Sequence, residues 1–307
     1  MSDNGYKSGS NLEKVLKAGH FAFTGECGPP KGANVAHLQE KMAPLRGMVD
    51  AINVTDNQTA VVRMSSKAAS ALMVQAGLEP NFQMVCRDRN RIAMQSDILG
   101  VHALGIRNML CLSGDHQLFG NHPEAKNVYD LDSMQLIALV KQMRDEGKFL
   151  NGEEIDGPPK LFIGAAANPF ADPTEYRVYR LANKIDAGAD FIQTQCIYNM
   201  PKFREFVKMA VDQGLTEKCA LLAGITPLKS VGMAKYMNKF VPGVFVPDDL
   251  LEEMASVPKE DALKKGMEIC ARHIRFCMDN KVCDGVHVMA IGKEEIVPDI
   301  LKMADLL

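Results

Sequence analysis

No stretch of this 307-residue chain approaches the apolar length of a membrane span. The opening Met1–Ser10 is polar and lacks the apolar core of a signal peptide. These two absences predict a cytoplasmic protein. Charge of one sign is also missing: 35 basic and 38 acidic residues leave a net charge of -3. That balance gives no electrostatic reason to expect nucleic acid or a membrane surface as partner. The eight cysteines form no CxxC pair, so neither a zinc ribbon nor an iron–sulfur motif is present. In a cytoplasmic chain of this size they are expected to be buried free thiols, and the nineteen methionines core filling. No GxGxxG fingerprint occurs, and no linker or low-complexity tract interrupts the chain.

What is present is a rhythm. The length suits one large α/β barrel or two small domains, and 47% hydrophobic residues suffice for a real core. Short apolar runs recur at 21–25, 51–55, 82–86, 108–112, 161–166, 191–195, 220–224 and 286–291. They read as strands buried on both faces, as parallel strands are. Helix signals lie between them. Val178, Leu181, Ala182 and Ile185 fall on one face, with Asp172-Pro173 as the expected start and Gly188 as the stop. Leu136, Leu139, Val140 and Met143 repeat the spacing before Gly147, as do Phe203, Phe206, Val207 and Ala210 before Gly214. The longest helix is expected over about 260–280, and a short one over 11–18 before the first strand. Eight unbroken strand–helix alternations predict a single (β/α)8 TIM barrel spanning 1–307, with an extra N-terminal helix. An open doubly wound sheet is the alternative. The polar stretch 151–159 precedes a strand and therefore belongs to the stability face.

A barrel of this kind carries its active site at the C-terminal strand ends. Glu26 and Asp115 stand there beside glycines, which let a ligand approach the backbone. A carboxyl group at an apolar rim can serve as a general acid; a solvated loop acid or helix cap is the alternative. The long loop 115–131 has the character of a lid. His116 and His122 match no common ligand spacing, and Cys270, His273, Cys277 and Cys283 read as a helix's core stripe, so no metal is expected.

At these strand ends the sequence resembles the methylenetetrahydrofolate reductase family. Phe23-Thr24-Gly25-Glu26-Cys27-Gly28-Pro29-Pro30-Lys31 is similar to the family's first-strand motif. Leu112-Ser113-Gly114-Asp115 is similar to Leu-Arg-Gly-Asp after the fourth strand. Lys184-Ile185-Asp186-Ala187-Gly188-Ala189-Asp190 with Thr194-Gln195, and then Gly224-Ile225-Thr226-Pro227, complete the series in order. The resemblance covers nearly the whole chain. It implies a flavin-bearing barrel that passes hydride from reduced flavin N5 to 5,10-methylenetetrahydrofolate, giving 5-methyltetrahydrofolate for one-carbon metabolism. Glu26 would protonate the folate nitrogen as the ring opens. Asp115 would lie between pterin and flavin and favour the cationic iminium. Gln195 and Thr226 would bind folate. Thr55, Gln83, Ser113, Gly114, Asp115, Tyr129, Ala166, Asn168 and Lys184 would hold the flavin.

The chain departs from the pattern at several points. Ser113 replaces the motif's arginine, and Gln83 stands where a histidine is usual. A lost cation near the diphosphate leaves FMN open beside FAD. The folate-stacking phenylalanine is missing around Val231, and Cys27-Gly28 replaces an aromatic pair. The subgroup resembles reductases of anaerobes with the acetyl-CoA pathway. Electrons would then come from NAD(P)H or from a partner iron–sulfur/zinc subunit, and an oligomer or hetero-complex is implied. Two other readings remain: a flavin-free folate methyltransferase barrel, and a non-catalytic subunit of an electron-transfer complex.

Overall fold

The computed structural model describes residues 5–307, and within them eight parallel strands close on themselves in sequence order. They are β1 (Ala22–Cys27), β2 (Ala51–Val54), β3 (Pro80–Val85), β4 (Asn108–Leu112), β5 (Phe162–Ala167), β6 (Phe191–Cys196), β7 (Ala220–Ile225) and β8 (Gly285–Val288). Closure comes from β1 against β8, with Thr24 opposite His287. The fold is the (β/α)8 TIM barrel expected. Strand ends shift by a few residues. Glu26 lies inside β1 rather than after it, because β1 still pairs with β2 at Glu26–Asn53 and Cys27–Val54.

The short helix α1 (Asn11–Lys17) precedes the barrel. Ser10 caps it by accepting from the Glu13 N–H. Its Asn11 and Leu12 N–H groups donate to the Glu79 carboxylate, which pins the helix beneath the strands. Leu12 thereby joins Ala22, Ala51, Leu110, Phe162, Phe191 and Leu222 in an apolar plug inside the barrel. Phe162 and Phe191 stack at 5.2 Å between ring centres. A Cβ at Gly164 would stand 2.3 Å from the Phe191 ring, so only glycine fits there.

The remaining helices form the outer layer. They are α2 (Val35–Met42), α3 (Ser66–Gln75), α4 (Arg91–Ala103), α5 (Ser133–Lys141), α6 (Arg177–Ala187), α7 (Met200–Asp212), α8 (Val231–Phe240), α9 (Asp248–Ala255), α10 (Ala262–Asp279) and α11 (Val297–Met303). The main core lies between this layer and the sheet; Ile52, Met109, Ile163, Phe203 and Ile274 belong to it. Helix α5 starts at a reciprocal capping box of Asp132 and Gln135. Helix α6 begins at Arg177, later than the Asp172-Pro173 signal suggests. Arg177 donates from Nε to the Ala171 carbonyl at 2.6 Å and also to Asp172 O, which holds those residues in a loop. Two helices not foreseen from the sequence, α8 and α9, follow β7. They close over a second small core containing Tyr198, Leu228, Val244 and Leu250. The 151–159 stretch lies at the N-terminal strand ends, where Lys148 bridges Glu154 in an antiparallel turn. Among the described residues no helix is long and apolar enough to cross a membrane.

Candidate active site

Alternate residues of each strand point into the barrel, and their character changes with height. Above the apolar plug lies a polar layer built from Thr24, Asn53, Asn81, Gln193 and His287, all buried. Asn81 Nδ2 donates to Asn53 Oδ1 at 2.7 Å. Asn53 Nδ2 donates to Gln193 Oε1 at 2.6 Å, and Gln193 Nε2 donates to Thr24 Oγ1 at 3.1 Å. Thr24 Oγ1 also lies 2.9 Å from His287 Nδ1 and 3.4 Å from the Val286 carbonyl. A hydroxyl has one proton and two lone pairs. If it donates to the carbonyl, it accepts from both Gln193 and His287 Nδ1. His287 Nε2, 3.3 Å from the Asn53 amide nitrogen, is then the acceptor. The network thus selects the Nδ1–H tautomer and engages the Nε2 lone pair with the Asn53 amide. Glu26 Oε2 stands 3.8 Å from that nitrogen.

Above this layer opens a cavity of about 480 Å³ at the C-terminal strand ends. Glu26, Asp115, Gln195, Thr55, Gln83, Ala166, Asn168 and Lys184 all line it. The sequence-predicted residues therefore converge from six strands or the loops that follow them and from one helix. Glu26 keeps its side chain 20% exposed toward the opening. A bulge between Gln193 and Cys196 breaks the register of β6 with β7. It brings Thr194 and Gln195 into the lining together, against strict alternation. Asn168 also ties the wall to the α8–α9 connection, because its Nδ2 donates to Pro242 O at 2.9 Å.

Asp115 belongs to a knitted lip. Its Oδ2 accepts the Thr59 N–H at 3.0 Å, from a segment in which Asn57, Thr59 and Ala60 all have positive φ. Buried Arg87 donates to the Asp115 carbonyl at 2.9 Å and the Asn57 carbonyl at 3.3 Å. Val62 N–H reaches Asn121 Oδ1, and Val128 N–H reaches Arg87 O. The 115–131 loop is therefore tied to its neighbours along its length.

Four expected residues do not line the cavity. Ser113, Gly114 and Tyr129 sit together at its rim, where the Tyr129 hydroxyl donates to Gly114 O at 3.3 Å. Gly114 has φ of +89° and no room for a Cβ against Val85. Thr226 is packed behind β6 and β7, with its Oγ1 3.0 Å from Cys196 Sγ and its carbonyl accepting from Tyr198. The structure adds lining residues that sequence reasoning missed: Asn53, Gln58, Gln193, His287, Arg177 and Arg180. A polar residue in the middle of an apolar strand was the available signal for Asn53, Gln193 and His287.

The electrostatics divide the cavity. Glu26 stands on β1, four strands away from β5 and therefore across the ring from α6. Lys184, on α6, is pushed down to about 8 by burial and by neighbouring Arg180. It donates to Ala166 O. Cys27 turns away into the helix layer, where burial and Glu294 push its thiol up to about 12; it is not a nucleophile there. Cys270 and Cys277 are buried in the core, and His122 pairs with Glu124 on the surface. Among the described residues no three His, Cys, Asp or Glu side chains stand together as a metal site.

The donor set fits a flavin beside a pterin. Ala166 and Ala167 leave a shelf without bulky side chains, and Leu110, Leu112, Leu181 and Met289 supply apolar walls. The amides of Gln83, Gln193 and Gln195 offer both donors and acceptors to a heterocycle edge.

Comparison with known proteins gives the chain's family. A sequence model described as methylenetetrahydrofolate reductase matches residues 11–305. A probable methylenetetrahydrofolate reductase (NADPH) of Caenorhabditis elegans is 24% identical over 248 residues, 78% of this chain and 34% of that protein. Methylenetetrahydrofolate reductase 2 of Schizosaccharomyces pombe is 26% identical over 317 residues, 96% of this chain and 47% of that protein. The chain thus spans less than half the length of these curated relatives. Among solved structures, an uncharacterized protein from Clostridium thermocellum that binds two copies of 5-methyl-5,6,7,8-tetrahydrofolic acid superposes with a TM-score of 0.62. It is 15% identical, with 97% of this chain and 99% of that one covered, a likeness of fold.

Proposed function

The chain belongs to the methylenetetrahydrofolate reductase family, and we propose that it is, over 1–307, one catalytic domain that reduces 5,10-methylenetetrahydrofolate to 5-methyltetrahydrofolate. The observation that carries this reading is the convergence of Glu26, Asp115 and Gln195 on one cavity. The folate bound by the Clostridium thermocellum protein of like fold supports the substrate class.

A flavin, when bound, supplies hydride to the methylene carbon. Thr55, Gln83, Ala166, Asn168 and Lys184 would hold it, with Ser113, Gly114 and Tyr129 at the rim. FAD and FMN both suit these contacts. Gln195 orients the pterin through its amide. Glu26 holds the proton that passes to the folate nitrogen as the five-membered ring opens. The polar layer beneath Glu26 keeps the His287 imidazole from turning. Asp115 places negative charge near the cationic carbon, with the Thr59 N–H holding its carboxylate in position. The walls of Leu110, Leu112 and Met289 limit water at the reacting face. Electrons would come from NAD(P)H or from a partner iron–sulfur subunit.

The test is an anaerobic absorbance titration of the purified protein with 5-methyltetrahydrofolate. Bleaching of a flavin spectrum is the expected result. A bound flavin that stays oxidised overturns the substrate assignment. No flavin after reconstitution with FAD and FMN favours the flavin-free methyltransferase reading.

A further inference from the structure

The turn that carries α10 into β8 brings two cysteines together. Lys281 has φ of +49°, and the Val282 N–H donates back to the Cys277 carbonyl at 2.9 Å. This left-handed closure folds the chain over the last turn of the helix. Cys283, the next residue, packs against the core that holds Cys277, and the two thiols hydrogen-bond. Asp284 fixes the main chain there. It donates to Leu221 O, accepts the Ala22 N–H at its carbonyl and accepts the Leu221 N–H at its carboxylate, at 2.9, 2.9 and 2.8 Å. Access divides the pair. Of the eight cysteines, Cys283 is the one that is not buried. It lines a cleft of about 560 Å³ at the N-terminal strand ends, with His20, Met278 and Lys281, on the face opposite the catalytic cavity. Cys277 lies behind it, with its Sγ 4.0 Å from Met200 Sδ. The neighbouring Cys283 thiol and burial push Cys277 above the ordinary thiol range, so it stays protonated. A metal suits the pair poorly, because among the described residues no third His, Cys, Asp or Glu joins them.

We propose that Cys283 and Cys277 are a redox pair, in which hydrogen peroxide oxidises Cys283 and Cys277 closes a disulfide onto it. The accessible Cys283, as thiolate, attacks one peroxide oxygen. An S–O bond forms, the O–O bond breaks, and the departing hydroxide takes up a proton and leaves as water. Cys277 then attacks the sulfenic sulfur. The S–S bond forms, the S–O bond breaks, and the Cys277 thiol proton leaves with the oxygen as water. The two thiols together lose two electrons and the peroxide gains them. A dithiol reductant reverses the step by thiol–disulfide exchange. The bond ties the end of α10 to the start of β8, the strand that carries His287. It requires neither folate nor flavin, so it stands apart from the reading of the cavity.

The experiment is peptide mapping of the full chain before and after hydrogen peroxide, with the remaining thiols blocked by iodoacetamide in denaturant. Trypsin cuts after Arg275, Lys281 and Lys293, so the bond joins peptides 276–281 and 282–293. The expected product is that joined pair, two hydrogens lighter than the sum of its parts. The oxidised chain takes up two fewer labels than its eight free thiols, and dithiothreitol restores both. Cys277→Ala, its fold verified by a thermal melt, stops at a sulfenic acid on Cys283, which dimedone captures. Cys283→Ser gives neither the joined peptides nor a dimedone adduct. The wild-type map decides the proposal by itself if a variant fails to fold. A wild type whose Cys283 stays reduced, or goes on to sulfinic acid with no joined peptides, overturns the pair. So does a first bond that joins any other two cysteines, or one that links Cys283 of two chains, seen as a dimer on a non-reducing gel.

Discussion

Replacing Thr24 by valine removes one hydroxyl from beneath Glu26 and changes the side-chain shape very little. The hydroxyl serves three partners: His287 Nδ1, Gln193 Nε2 and the Val286 carbonyl. Gln193 Nε2 keeps a second acceptor, Asn53 Oδ1 at 3.2 Å, so it is not orphaned. His287 Nδ1 has no such alternative and is left buried and unpaired, which costs about 1–3 kcal/mol. Loss of the weaker neutral bonds adds about 0.5–1.5 kcal/mol. The extra buried methyl offsets about 0.8 kcal/mol. The net expectation is a destabilisation of about 1–3 kcal/mol. Urea unfolding followed by circular dichroism measures it as a shift in midpoint. Thr24→Ser is the control: it keeps the hydroxyl and loses only the methyl. Nitrogen-15 NMR of the imidazole reports the tautomer, which is Nδ1–H in wild type and mixed in Thr24→Val. A Thr24→Val protein as stable as wild type, with the tautomer unchanged, would show that the hydroxyl does not organise this layer.

Glu26→Gln keeps the size of the side chain but cannot deliver a proton. Its flavin binding should match wild type, while folate reduction falls by about 10²–10⁴-fold, the range of a general acid; wild-type turnover in single-turnover kinetics removes Glu26 from the mechanism. His273 on α10 is buried, and burial with neighbouring Arg272 lowers it to about 4. The unfolded chain therefore binds this proton below about 6.5 while the folded one does not, so stability rises with pH across that window. Stability is lost as pH falls from about 6.5 toward 4, and His273→Phe should flatten that dependence; an unchanged slope of melting temperature against pH would contradict the burial argument.

The alternation of apolar runs and amphipathic helices carried the fold, because short apolar runs bounded by turn residues, each followed by a helical pattern, fit parallel strands with crossover helices. The same local logic singled out Glu26 and Asp115, since the strand ends of a barrel have only one side for chemistry, whereas Gln195 and Lys184 came from the family resemblance. It did not reach the polar layer. Asn53, Gln193 and His287 interrupt strands that otherwise read as continuous core. Only closure of β1 on β8 shows that their alternate positions face one another inside the ring. Thr226 and Ser113 stand at the expected chain positions, yet packing turns one behind β6 and leaves the other at the rim. Arg177 and Arg180 look like the solvated face of an amphipathic helix. In the folded barrel that face lines the cavity, because closure of the ring sets α6 beside the strand ends, which no local run of residues encodes.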